Sequence, residues 1–297
     1  MSVGSEEASN RFIGLDTWQT KDIISALWEG QMKAVASCMS SLEALAPAID
    51  AAALRVSQGE GRLIYVGAGT SGLIAVLDSL ELFATFAWPL ERMVTVMPSG
   101  LDFSKPIDGS IEDDALYGAK CLQKLEPQAG DVVIGVSASG KSAFTIEALR
   151  FSREAGALTI AFANNLGTPL EVVADHSVVA LSGAEVIAGS TRLGAGTAQK
   201  VLFNLFSTGL MVRLGAVHDN LMVNVQADNV KLHQRCAAMV SHISGVDLGR
   251  ASQAIDEYGS VKKAVLGLAG FTVSDAEARL QDAAGNLRLA LSSKENN

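Results

Sequence analysis

Three short segments carry most of the residues that could do chemistry. Gly67-Ala-Gly-Thr-Ser-Gly72 and Ser137-Ala-Ser-Gly-Lys-Ser142 each follow an apolar run and precede a helical pattern. The first turn of a helix leaves backbone N–H groups unpaired and carries a partial positive charge, so it can hold an anion. Glycine lets the backbone approach closely, and serine or threonine hydroxyls donate to phosphate oxygens. Gly69, Thr70 and Ser71 in the first loop, and Ser137, Ser139, Gly140, Lys141 and Ser142 in the second, are therefore candidate phosphate ligands. Either loop taken alone is equally well an N-capped helix start. Two such loops on one sheet edge favour a phosphorylated ligand.

The first loop has the Gly-x-Gly-x-x-Gly spacing of a dinucleotide fingerprint, but the second apolar run ends in Met97-Pro-Ser-Gly100, without the acidic residue that a ribose would need. Gly140-Lys-Ser142 lacks the earlier glycine of a Walker loop. The third segment, Glu185 to Lys200, is long for a connector and dense in donors, which points Glu185, Ser190 and Thr191 into the same cleft.

Positioning these loops requires strands. Arg62–Val66, Met93–Met97, Val132–Val136, Leu158–Ala163 and Ser177–Leu181 are short apolar runs. Candidate helices lie between the first four, at Ser71–Phe83, Glu112–Lys124 and Ser142–Ala155. This alternation predicts an α/β fold, a doubly wound and mainly parallel five-stranded sheet flanked by helices, with ligands at the carboxyl ends of its strands. Residues 20–58 read as helical, with Ile23, Ile24, Leu27, Met32, Val35 and Met39 at three- and four-residue steps. Thr197–Leu214 and Leu221–His242 read as further helices. Leu248–Tyr258, Val261–Leu268 and Ser274–Leu291 read as a small C-terminal helical domain. The expected division is a helical segment over 1–58, a ligand-binding domain over 59–244 and a helical domain over 245–297.

Composition narrows the class of partner. With 23 basic against 32 acidic residues the formal charge is −9, which argues against nucleic acid or an anionic membrane. No uninterrupted apolar run is long enough to span a bilayer, and the first ten residues are too polar for a secretory signal. Cys38, Cys121 and Cys236 are far apart, and His176, His218, His233 and His242 show no zincin spacing. A reduced cytoplasmic protein is expected, with neither metal nor cofactor.

The three segments in this order resemble the SIS (sugar isomerase) domain, and more narrowly the N-acetylmuramic acid 6-phosphate etherase family. Arg62–Gly72, Val76-Leu-Asp78 with Glu81, Asp131–Gly140, Glu185–Lys200 and Asn220–Gln226 carry the resemblance, which spans about Asn10 to Arg235. It implies a homodimeric lyase of peptidoglycan recycling. Such an enzyme splits the D-lactyl ether of N-acetylmuramic acid 6-phosphate by elimination and hydration, giving N-acetylglucosamine 6-phosphate and D-lactate without a metal. Glu81 matches the family's acid, and its neighbours Leu80, Leu82 and Phe83 would favour a protonated carboxyl. The family's base lies in a Glu-Gly-x-Glu-Asp context. The comparable stretch here is Asp108-Gly-Ser-Ile-Glu-Asp113, so Asp108 is the first match and Glu112 the second. Leu73 stands where the family has arginine, and Lys141 and Ser142 where it has arginine and threonine. The apolar Thr197–Leu214 helix fits a dimer. Two other readings share the phosphate cradle: a non-catalytic sugar-phosphate binder, as in the related glucokinase regulatory protein, and an aldose–ketose phosphosugar isomerase.

Overall fold

The computed structural model describes residues 4–98, 100 and 109–292. Five strands, β1 (Leu63–Gly67), β2 (Met93–Val96), β3 (Val132–Ser137), β4 (Leu158–Ala163) and β5 (His176–Val179), form one parallel sheet in the order β2-β1-β3-β4-β5. β1, β3 and β4 are buried along their whole length, as expected of unbroken Val, Ile and Leu runs covered on both faces. On one face Ile64, Val66, Val133 and Ala161 pack against Leu122 of α4 (Ala115–Leu125) and Phe144 and Leu149 of α5 (Ala143–Glu154). On the other, Tyr65 and Phe162 meet Phe203, and Phe162 also meets Phe206, from α7 (Gly194–Arg213). The short α6 (Pro169–Val173) joins β4 to β5.

Charged side chains tie the amino edge of the sheet. Asp131, just before β3, accepts from the backbone N–H of Arg62 at 2.8 Å, from its guanidinium at 2.6 Å and from the N–H of Gln128 at 2.9 Å. Burial pushes the Asp131 carboxyl up, but these donors outweigh it and hold the group below its ordinary value. Arg92 donates to the carbonyls of Gly61 and Val56, and Asp175 accepts from the N–H of Thr159 and from Arg153.

The chain divides into two compact units, Met1–Ser79 with Glu91–Ser207, and Leu80–Leu90 with Thr208–Asn297. Helix α3 (Gly69–Phe86) and α7 contribute residues to both. The second unit has its own core, in which Met239 and Val240 of α8 (Val230–Ser244) join Ile255 of α9 (Leu248–Tyr258), Leu266 of α10 (Val261–Leu268), Ala276 of α11 (Val273–Asp282) and Leu287 of α12 (Leu287–Ser292).

Several expectations shift. Residues 20–58 form α1 (Thr20–Ser37), a 3-10 turn and α2 (Leu42–Ser57). The apolar stripe expected there is mostly outside the core: Ile24, Met32, Val35 and Met39 are exposed, as is Trp28 beside them, while Ile23 and Leu27 are half-buried. The helix expected over Leu221–His242 starts only at Val230, where the Asn229 side chain accepts from the N–H of Leu232. The expected Ser274–Leu291 helix is broken by Ala284 and Gly285, which adopt φ of +48° and +79°. Glu112 lies in a 3-10 turn, Gly109–Asp113, and α4 begins only after Asp114 caps it. The apolarity of α7 is accounted for within the chain, since Leu202, Phe203 and Phe206 are fully buried.

Candidate functional site

The strand order reverses between β1 and β3, and the loops leaving these adjacent strands are the two glycine and hydroxyl segments. Their helices, α3 and α5, leave to opposite faces, and a crevice opens at such a switch point beyond the strands' carboxyl ends. The first loop turns sharply into α3. A Cβ on Gly72 would sit 2.5 Å from the Gly67 carbonyl oxygen, so only glycine lets the helix start this close to its strand. Ser71 is buried there, while Gly69 and Thr70 are half-buried.

The second loop is a network of short contacts. Ser137 Oγ accepts from the N–H of Gly140 at 3.1 Å, and Ser139 Oγ accepts from the N–H of Lys141 at 3.2 Å. Ser142 caps α5, accepting from the N–H of Thr145, and its hydroxyl faces the Glu112 carbonyl at 3.4 Å. Ser137 and Ser142 are buried, whereas Ser139 and Lys141 line a cavity of about 730 Å³ with Lys33, Asn164, Asn165 and Thr168. Gly140 adopts φ of +67° and a Cβ there would lie 2.4 Å from Thr168 Oγ1, so Thr168 closes the loop from behind.

The third segment joins the first loop. A Cβ on Gly196, in the first turn of α7, would lie 3.4 Å from the Thr191 carbonyl oxygen and 3.7 Å from Thr70 Cγ2. Ser190 and Thr191 are half-buried. Glu185, read from the sequence as a cleft residue, engages both oxygens elsewhere: they accept from the N–H groups of Gly194 and Ala195, each at 2.8 Å. It is the capping carboxylate of α7, buried to 4% exposure. Gln199 is also internal, donating to Asn164 Oδ1 at 3.0 Å.

Of the candidate carboxylates, Asp108 lies outside the described residues. Glu112 is half-buried, and burial first, then Asp113 and Glu6, push its carboxyl above the ordinary value. Glu81 is exposed, as are Leu80 and Phe83. One turn earlier on α3, Asp78 is buried and accepts from the hydroxyls of Tyr65 at 3.2 Å and Ser207 at 3.1 Å. Sequence reasoning missed Ser5, Glu6 and Asn165, whose partners are distant along the chain, and Thr168, which caps α6 with Glu171 and also closes on Gly140. In the second unit His218 is buried and His233 pairs with Asp256 at 2.8 Å. An apolar cavity of about 680 Å³ there, lined by Phe86, Met222, Arg235 and His242, holds none of the expected site residues.

The sheet order and the loops at its switch point define an SIS-domain protein, and SIS-domain family models match residues 31–164 and 123–208. Structures of a proposed phosphosugar isomerase from Bacteroides fragilis NCTC 9343 (TM-score 0.52, 20% identity, 68% of this chain and 95% of that one) and of a protein from Escherichia coli CFT073 (TM-score 0.51, 22%, 68% and 97%) share the fold. The chain is 42% identical to an N-acetylmuramic acid 6-phosphate etherase of Deinococcus radiodurans, over 97% of this chain and 94% of the relative. It is 39% identical to that of Serratia proteamaculans, with 97% of both chains covered, and 40% identical to that of Rubrobacter xylanophilus, with 93% and 92% covered. The chain belongs to the N-acetylmuramic acid 6-phosphate etherase family.

Proposed function

We propose that this chain is a carbon–oxygen lyase that converts N-acetylmuramic acid 6-phosphate to N-acetylglucosamine 6-phosphate and D-lactate. The observation that carries the reading is family membership along nearly the whole chain, 42% identity over 289 residues. The α3 and α5 starts supply the phosphate cradle, Ser139 and Lys141 from the lining of the cavity and Thr70 and Ser71 from the loop that leaves the adjacent strand β1. Ser137, Gly140 and Ser142 keep the second loop in shape, and Glu185 keeps Ser190 and Thr191 near α7.

Ring opening of the sugar exposes an aldehyde, which acidifies the proton on the neighbouring carbon. A carboxylate takes that proton while a second carboxyl protonates the departing lactyl oxygen, and a double bond forms between the two sugar carbons. Water then adds across it, the hydroxyl joining the carbon that lost lactate and a proton returning to its neighbour. The exchange needs one carboxylate that accepts a proton and one carboxyl that supplies one. Glu112 serves as base: it lies beside the second loop, and its raised proton affinity makes it a stronger base than an ordinary glutamate. Asp108, the first match to the family's base, is the alternative for that role, and Glu81 on α3 acts as acid.

The exposed stripe Ile24, Trp28, Met32 and Val35 supports a homodimer, since a continuous apolar helix face normally finds a partner. Three free thiols suit the reducing cytoplasm, where we place the chain in peptidoglycan recycling. Incubation with N-acetylmuramic acid 6-phosphate should release D-lactate in step with N-acetylglucosamine 6-phosphate. Tight binding without lactate would sink the lyase reading, and conversion to a ketose would replace it with an isomerase.

A further inference from the structure

One stretch of backbone in the phosphosugar cavity comes from far outside the three loops. Residues Gly4–Glu7 form a turn in which the N–H of Glu7 donates to the Gly4 carbonyl at 3.1 Å. Ser5 at its centre is fully buried, at 0% exposure. Asn165, two residues past the end of β4, reads Ser5 from both sides. Its Oδ1 accepts from the Ser5 N–H at 3.0 Å, and its Nδ2 donates to Ser5 Oγ at 2.8 Å. The same Nδ2 donates to the Ala138 carbonyl of the second loop at 2.9 Å. One amide side chain thus fastens the turn to the loop that holds Ser139 and Lys141.

The fastening puts two carboxylates on the rim of the 730 Å³ cavity, and they differ in aim. Glu7 folds back over its own turn: its Oε1 lies 3.7 Å from where a Gly4 Cβ would be. Glu6 reaches across. Its Oε2 lies 3.6 Å from where a Gly189 Cβ would be, next to Ser190 and Thr191, and its charge acts on Glu112. Glu6 therefore stands where the second loop, the Ser190–Thr191 loop and the 3-10 turn carrying Glu112 come together. An ionised carboxylate only accepts hydrogen bonds. A phosphate is also an acceptor, so Glu6 has no hydrogen bond to offer it. The parts of an amino-sugar phosphate that Glu6 can bind are the hydroxyls and the acetamido N–H.

We propose that the turn Gly4–Glu7 is a wall of the phosphosugar site and that Glu6 is a specificity-determining residue, accepting hydrogen bonds from donor groups of the sugar. The proposal rests on the phosphosugar reading above and adds to it a division of labour: hydroxyls and Lys141 for the phosphate, Glu6 for the saccharide. It is tested by calorimetric titration of the full-length protein with N-acetylglucosamine 6-phosphate and, separately, with inorganic phosphate. Glu6→Ala should weaken the sugar phosphate about ten-fold, the loss of a hydrogen bond to a charged group, and leave inorganic phosphate within about two-fold. Glu7→Ala should change neither. Ser5→Ala, which removes the hydroxyl that Asn165 holds, should weaken the sugar phosphate by a smaller factor and spare phosphate. Equal loss of both ligands in Glu6→Ala, unchanged sugar-phosphate affinity, or tighter binding once the carboxylate is gone would each overturn the proposal. If the unmutated protein binds neither ligand, the phosphosugar reading itself fails, and the proposal falls with it.

Discussion

The two edges of the sheet in the first unit are built from different residue types, though the same five strands run between them. At the amino edge Arg62, Arg92, Asp131 and Asp175 pair with one another's neighbours and with loose carbonyls. At the carboxyl edge stand glycine, serine, threonine and asparagine, short side chains bonded mainly to their own loops. Long charged side chains lock one edge by satisfying each other. Short hydroxyls leave room at the other, and their backbone N–H groups point outward from two helix starts. Stability and binding are thereby assigned to opposite ends of the same strands.

Substitutions should separate the two edges cleanly. Glu112→Gln and Glu81→Gln are each expected to lower the rate of D-lactate release by about 10²–10⁴-fold, the usual value of a general acid or base, with little change in the melting midpoint. Asp131→Asn should do the reverse, costing about 3 kcal/mol by leaving Arg62 half-buried without its anion, while turnover at permissive temperature persists. Because Asp131's carboxyl is held below its ordinary value, its contribution is complete above that ordinary value and disappears as pH falls through the depressed one. The difference in midpoint between the two proteins should therefore shrink on acidification. A large activity loss in Asp131→Asn with unchanged stability would break the contrast.

Ser139→Ala and Lys141→Met should each weaken inorganic phosphate binding by about ten-fold, read by calorimetry, with midpoints unmoved. The acid limb of the pH–rate profile should lie above the ordinary glutamate value, since Glu112 must be ionised to act as base and its proton affinity is raised. Finding the limb at or below the ordinary glutamate value would remove Glu112 from that role. The smallest effect is expected away from the sheet. Lys262 is buried in the second unit, donates to the Gly285 carbonyl at 2.6 Å, and is lowered by burial to about 8. Between that value and the ordinary lysine value the unfolded chain binds more protons, so stability should rise with pH. Lys262→Met should flatten that slope, as midpoints measured on either side of the window would show.

How much of this was legible in the sequence follows from range. The loops could be read because a strand end, a glycine turn and a helix cap are local, and each glycine or hydroxyl acts on backbone a few residues away. The buried Val, Ile and Leu runs gave the strands for the same reason. Ser5 and Asn165 are separated by 160 residues, and nothing in either neighbourhood announces the other. Glu185 looked like a ligand residue because its type suits a site, yet its target is a helix start nine residues on. Glu81 shows the limit of flanking residues: Leu80 and Leu82 adjoin it in sequence, but adjacent helical positions point in different directions, so apolar neighbours do not bury it. On α1, periodicity found a stripe and could not say what it faces.

Glu185 has one more effect on the carboxyl edge. Among the described residues the longer helices α3, α5 and α7 begin there, at Gly69, Ala143 and Gly194, and each start would attract negative charge. At α7 the chain supplies that charge itself, permanently and from nine residues away, so no solute ion can compete for the berth. Incoming phosphate is left with the starts of α3 and α5, which flank the strand reversal. A resident anion at one helix thus directs a visiting anion to the others, and the chain chooses the docking point by occupying the alternative.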